Sequence, residues 1–146
     1  MYSTEASLVG QASAHLATEQ SPFGECHVAH EFGYSGGRVA IVATAGDGRL
    51  LAFEAKLANW RKALQQAYRA SSFAHYSFVV MPSQSSAPAR RAAHEFARRG
   101  VGLCVVDDSG ITIEIEASGK DPLQPWLTNT AIDYVEGEGL GGAAVV

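Results

Sequence analysis

Glu54 and Lys56 stand one residue apart and are the only charges in the run Leu50 to Leu57, whose other members are Leu, Ala and Phe. In an extended strand that spacing places both side chains on one face. An acid and an amine inside an apolar strand carry a desolvation cost unless they pair or meet a metal, a water or a ligand. The chemistry open to them is that of phosphodiester hydrolysis, in which a carboxylate holds a hard divalent cation and a lysine steadies the attacking water or the phosphate. The alternative is an ion pair at a strand edge, since acid-x-lysine is a short pattern that chance also produces.

The elements that must position this pair can be read from the pattern of apolar residues. Arg38 to Thr44 and Arg49 to Leu57 are strand-length apolar runs separated by Ala45-Gly46-Asp47-Gly48. The Asp-Gly pair supplies the positive φ angles of a tight turn, so the two strands are expected as antiparallel neighbours. Asn59 is placed to cap a helix running to about Ser72, with Trp60, Leu64, Ala67 and Ser71 along one side and Lys62, Gln66 and Arg69 along the opposite, polar stripe. Upstream, residues 4 to 20 predict a helix from the recurrence of Leu8, Ala12 and Leu16, and Glu25 to Phe32 predicts a strand with one wetter face. Downstream, His75 to Met81 reads as a buried strand ended by Pro82, Pro88 to Arg99 as a helix capped by Gly100, and residues 101–106 and 111–117 as two more strands. A short helix near Leu127 to Val135 and a Gly/Ala tail close the chain. This order predicts an α/β domain with a mixed β-sheet flanked by helices over residues 1–118, followed by a partly mobile C-terminal extension over 119–146.

Composition narrows the function classes. The chain has 146 residues, enough for one domain with its own core. No apolar run approaches the ~20 residues needed to cross a bilayer, so no membrane partner is expected. Met1-Tyr2-Ser3-Thr4-Glu5 lacks the positive charge and apolar stretch of an export signal, and the expected compartment is the cytoplasm. Cys26 and Cys104 lie in apolar, strand-like surroundings and read as buried thiols. The five histidines are scattered rather than set at metal-ligand spacing, and no glycine-rich phosphate cradle follows a strand. Ten of the eleven basic residues fall between Arg38 and Arg99, against three acids there, which gives the middle of an otherwise acidic chain a cationic character suited to a polyanion, or simply to solvating exposed helix faces.

The stretches Gly37 to Val42, Asp47 to Leu57, Trp60 to Ala70, Ala74 to Pro82 and Gly100 to Leu103 together resemble the core of the PD-(D/E)XK, or restriction-endonuclease-like, nuclease superfamily. The resemblance covers roughly residues 25 to 117 and implies that family's αβββαβ core. Position by position, it gives Glu54 the role of the second metal-binding acid, Lys56 that of the catalytic lysine, and Gln66 that of a glutamine facing the site. It implies Mg²⁺ or Mn²⁺ as cofactor and DNA as partner, with Lys62, Arg69 and Arg61 on the nucleic-acid backbone. The first metal-binding acid of the family falls on Ala40, which has no ligand atom. A natural pseudo-nuclease, an aspartate deliberately replaced, or migration of the acid to Glu31 or Glu19 each account for it. The expected function is accordingly a Mg²⁺-dependent DNA nuclease domain impaired at Ala40. The alternative is a non-catalytic module that binds nucleic acid, a protein partner or a second copy of itself within a larger assembly.

Overall fold

The computed structural model describes residues 4–139. Along the chain run α1 (Glu5–Leu16), β1 (His27–Tyr34), β2 (Gly37–Thr44), β3 (Leu50–Ala55), α2 (Trp60–Ala70), β4 (Tyr76–Pro82), α3 (Ala87–Arg91), α4 (Ala93–Arg99), β5 (Gly102–Asp107), β6 (Gly110–Ile115) and α5 (Pro125–Gly139). The strands form one six-stranded sheet in sequential order. β1, β2 and β3 are antiparallel neighbours, α2 crosses over to set β4 parallel to β3, β5 is parallel to β4, and β6 returns antiparallel. The protein is thus a mixed α/β fold with an open sheet between helices.

Each local feature has a chemical cause. Gly48 takes a φ of 86° in the β2–β3 turn, and Asp47 Oδ1 accepts the Arg49 N–H at 3.0 Å, which closes the turn. The Asn59 side chain caps α2 by accepting the Lys62 N–H, and Gly100, at φ 70°, ends α4 in the left-handed conformation. On one face of the sheet α1 buries Leu8, Ala12 and Leu16 against Ile41, Phe53, Phe78 and Cys104. On the other face α5 brings Leu127, Ala131 and Val135 onto Ala29, Val42 and Ala52, while α2 and α4 cover β4 and β5 through Leu64, Ala67 and Phe96. At about 25 cal/mol per Å² of apolar surface removed from water, these layers supply the main drive for folding.

Several elements depart from the sequence reading. The first helix stops at Leu16 rather than reaching 20, with the Ala17 N–H donating to the Ser13 carbonyl and the Thr18 N–H turned back on that of His15. β1 starts two residues later than expected and continues to Tyr34. The Pro88–Arg99 helix is broken at Ala92 into α3 and α4. The segment after 118 carries α5, longer than the helix expected over 127–135 and packed into the core against β1, β2 and β3. The Gly/Ala tail lies outside the described residues.

Candidate functional site

β2 and β3 pair from Thr44↔Leu50 to Ile41↔Phe53, and their paired register ends there. Glu54 is the next residue of β3 and Ala40 the next of β2. On the other side of β2, pairing with β1 runs from His27↔Thr44 to His30↔Ile41 and resumes at Phe32↔Val39, passing over Glu31 and Ala40. Glu31 adopts φ 57°, the one positive value outside glycine among the described residues. Across this irregularity the facing of the side chains slips by one. Ala40 and Ile41 both pack toward the α1 face, whereas Val39 and Phe32 join Val42 and Ala29 on the α5 face. Regular alternation would have put Ala40 with Val42.

Glu54 is buried in this gap, 8% exposed. Burial, which penalises the charged form, pushes its pKa up to about 7; Glu31 and Glu5 push the same way, while Lys56 and, least of all, the Ala40 backbone pull it down. The acid expected from Ala40 is absent, and the Ala40 backbone acts on Glu54 only as the smallest of the influences on its pKa. Tyr34 sits close enough to sense both Glu54 and Arg69: its pKa is raised by burial above all, lowered by the Arg69 charge and raised by that of Glu54. Arg69 lies on α2 one turn after Gln66, so Glu54, Tyr34 and this stripe of α2 border one region on the α5 side of the sheet.

Lys56 follows the last residue of β3, its N–H still bonded to the Val80 carbonyl at 3.2 Å. Its ammonium does not stay with Glu54. It pairs with Glu5 Oε1 at 3.7 Å, in the first turn of α1 on the opposite layer. Ala55 and Leu57, on either side of Lys56, pack toward the α1 face, and the Lys56 charge still lowers the Glu54 pKa while its ammonium pairs with Glu5.

The remaining expected residues divide. Gln66 Oε1 is buried and meets no hydrogen-bond donor. Lys62 and Arg69 are exposed on the same stripe of α2. Arg61 stands apart from them, its guanidinium 4.5 Å from the Trp60 ring centroid, and Trp60 in turn stacks on Phe96 of α4 at 5.8 Å. Glu31 pairs with Arg38 at 3.8 Å at the surface, although its charge still reaches Glu54. Glu19 lies beyond α1 and is exposed. Among the described residues no three His, Cys, Asp or Glu side chains gather as a group that could hold a metal ion. Both cysteines are buried free thiols with raised pKa values, Cys26 at about 11, as desolvation dictates.

Sequence reasoning missed Glu5 and Tyr34. Glu5 carried a signal, an acid directly after a Thr4 N-cap, but nothing local tied it to Lys56. Tyr34 carried none beyond its place before Gly36-Gly37.

No family model and no curated protein matches the chain. A solved structure of a protein of unknown function, SPO1766 from Silicibacter pomeroyi, is similar in fold, with a TM-score of 0.69 over 98% of this chain and 91% of that one at 15% sequence identity. That likeness bears on the fold alone. Among the described residues, no helix is long and apolar enough to cross a membrane.

Proposed function

We propose that this chain is a nuclease-like domain of the PD-(D/E)XK type that contacts a nucleic-acid backbone beside Glu54, and whose hydrolytic site is incomplete. The observation that carries the reading is the buried Glu54 carboxylate at the point where β2 and β3 part, with Lys56 two residues on and its charge acting on Glu54. The order α1-β1-β2-β3-α2-β4, with β3 and β4 parallel, is in keeping with the αβββαβ core of that superfamily.

Two groups present suit a divalent cation: the Glu54 carboxylate, and the Gln66 Oε1, an acceptor left without a donor. The β2 carboxylate of a two-acid site has no counterpart, because Ala40 offers only a methyl group. The set therefore does not fit the complete site. What this chain's own residues offer is binding: Lys62 and Arg69 on the exposed stripe of α2 present cations to a phosphodiester backbone, with Tyr34 and Gln66 beside them.

The test is cleavage of DNA with Mg²⁺ or Mn²⁺ by the native chain, by Ala40→Asp and by Ala40→Asp with Glu54→Gln. Cleavage gained by the first variant and lost in the second supports the reading. No cleavage by any of them, together with no DNA binding, overturns it. Binding through backbone contacts must also weaken steeply with salt; salt-insensitive association would point to a protein partner.

A second reading rests on a separate observation, that Glu5 and Glu31 both raise the Glu54 pKa and so lie within electrostatic reach of it. One of them would then supply the second carboxylate. In that case the native chain itself cleaves, and Glu5→Gln or Glu31→Gln abolishes cleavage.

A further inference from the structure

At the other end of β3, beside the β2–β3 turn, two adjoining compartments share Arg49 and Tyr76 as a common wall. One, of about 600 Å³, is bordered by Arg49, His75, Tyr76, Gly119, Lys120 and Asp121. The other, of about 340 Å³, is lined by Phe23, Leu51, Phe78 and Ile113, with Asp47 and Glu116 also at its border. Both fall in the size range of small-molecule sites, and the pairing of a polar with an apolar chamber is what such sites have in common.

The polar chamber is biased toward donors. The Arg49 guanidinium lies over the Tyr76 ring, 5.6 Å from its centroid, and Nη1 donates to Tyr76 Oη at 2.6 Å, so the phenol proton points elsewhere. The Leu50 backbone N–H donates to His75 Nδ1 at 3.0 Å. Because that nitrogen must present its lone pair, the ring proton sits on Nε2 and is available to donate. Burial and the Arg49 charge hold the His75 pKa below its ordinary value, in keeping with a neutral ring. The Lys120 ammonium has no carboxylate within ion-pairing distance among the described residues. Asp47 is already engaged with Arg49, at 3.7 Å, which leaves Asp121 as the free acid of the polar chamber and Glu116 as that of the apolar one. In the apolar chamber the Phe23 and Phe78 rings meet edge to face at 5.3 Å and 63°, with the half-buried Phe23 the more open of the two.

We propose that these joined chambers bind a small molecule with one anionic head, carboxylate or phosphate, held by Arg49, His75 Nε2–H and Lys120, and an aromatic body resting on Phe23 and Phe78. The site is separate from Glu54, and its existence does not depend on nuclease activity.

The experiment titrates the intact chain with phenyl phosphate, benzoate, inorganic phosphate and phenol, and follows backbone amide shifts by NMR. Phenyl phosphate or benzoate is expected to saturate shifts at Arg49, His75 and Lys120, and whichever binds tighter identifies the head. Removing either half of the probe, in inorganic phosphate or phenol, is expected to weaken binding at least about tenfold, the worth of one charge-assisted hydrogen bond or one modest apolar contact. Lys120→Gln, at an exposed position, is expected to weaken the aromatic anion about tenfold, leaving phenol and thermal stability unchanged. Failure of both aromatic anions to saturate by about 10 mM, where affinity falls below any specific range, overturns the proposal. Shifts centred elsewhere on the molecule, or indifference to Lys120→Gln in a folded variant, do the same.

Discussion

The Lys56 ammonium lies 3.7 Å from the Glu5 carboxylate, and this pair joins the residue after β3 to the first turn of α1. The lysine end is largely covered, at 18% side-chain exposure, and the glutamate end is half open at 48%. Glu5 also stands where the α1 dipole favours an acid. Replacing it by glutamine is expected to cost no more than about 1 kcal/mol of stability, the scale of a partly exposed pair. Its larger effect falls on Glu54, whose pKa drops, since one neighbouring negative charge is gone and Lys56 is released toward it. Carboxyl-carbon NMR titration of Glu5→Gln reads this directly; an unchanged or higher Glu54 pKa would show that the three groups are not coupled.

The raised pKa of Glu54 fixes the sign of a stability profile. The folded chain holds this proton to about pH 7, whereas the unfolded chain releases it near 4.5, so between those values the native state binds more protons. Stability is then full below about pH 4.5 and declines as pH rises toward 7. At about 1.4 kcal/mol per pH unit the decline from this residue amounts to roughly 3 kcal/mol at most. Glu54→Gln, which keeps the shape of the side chain without a titrating proton, is expected to flatten the profile and to exceed the native chain in stability at pH 8. Urea denaturation at pH 5 and pH 8 measures both. A Glu54→Gln variant less stable at pH 8 would mean that the carboxylate is stabilised as an anion.

The parts of the fold that were legible in the sequence were those set by local chemistry. Asp47-Gly48 announced the β2–β3 hairpin, Asn59 the start of α2, Gly100 the end of α4, and the runs around Phe78 and Cys104 the buried strands. What escaped was set by contacts distant in the chain. The slip at Glu31 and Ala40 breaks the period-two alternation from which facing is inferred, and no glycine or proline marks it. The break at Ala92 falls inside a run of good helix formers. At the candidate site, Glu54 and Lys56 stood out because charge is costly among aliphatic neighbours, but the turn of Lys56 toward Glu5 depends on a helix some fifty residues earlier in the chain.

Glu31 pays a conformational penalty that a test can expose. A residue with a Cβ at φ 57° carries strain on the order of 1 kcal/mol, which glycine avoids. Its side chain offers little in return, because the Arg38 pair at 3.8 Å is exposed at both ends. Glu31→Gly is therefore expected to raise stability by a few tenths to about 1 kcal/mol, despite the greater freedom glycine gives the unfolded chain. It should also lower the Glu54 pKa by removing a nearby negative charge. A thermal midpoint that falls on this substitution would place the value of Glu31 in its side chain rather than in its backbone.

Gln66 presents the converse case, a polar group whose cost lies in its side chain. Its Oε1 is buried without a donor, on the α2 turn before Ala67 and Ala70, which pack into the core. An unsatisfied buried acceptor costs about 1–3 kcal/mol. Gln66→Met preserves the length and helix propensity of the side chain while removing the stranded oxygen. The variant is expected to be more stable by about 1 kcal/mol, seen as a higher denaturation midpoint at constant m. The same substitution is expected to weaken DNA binding, because an acceptor kept at such a cost is accounted for by a ligand that satisfies it. Lower stability together with unchanged DNA affinity would show that the oxygen finds its partner within the folded chain and its bound water, and would remove Gln66 from the site.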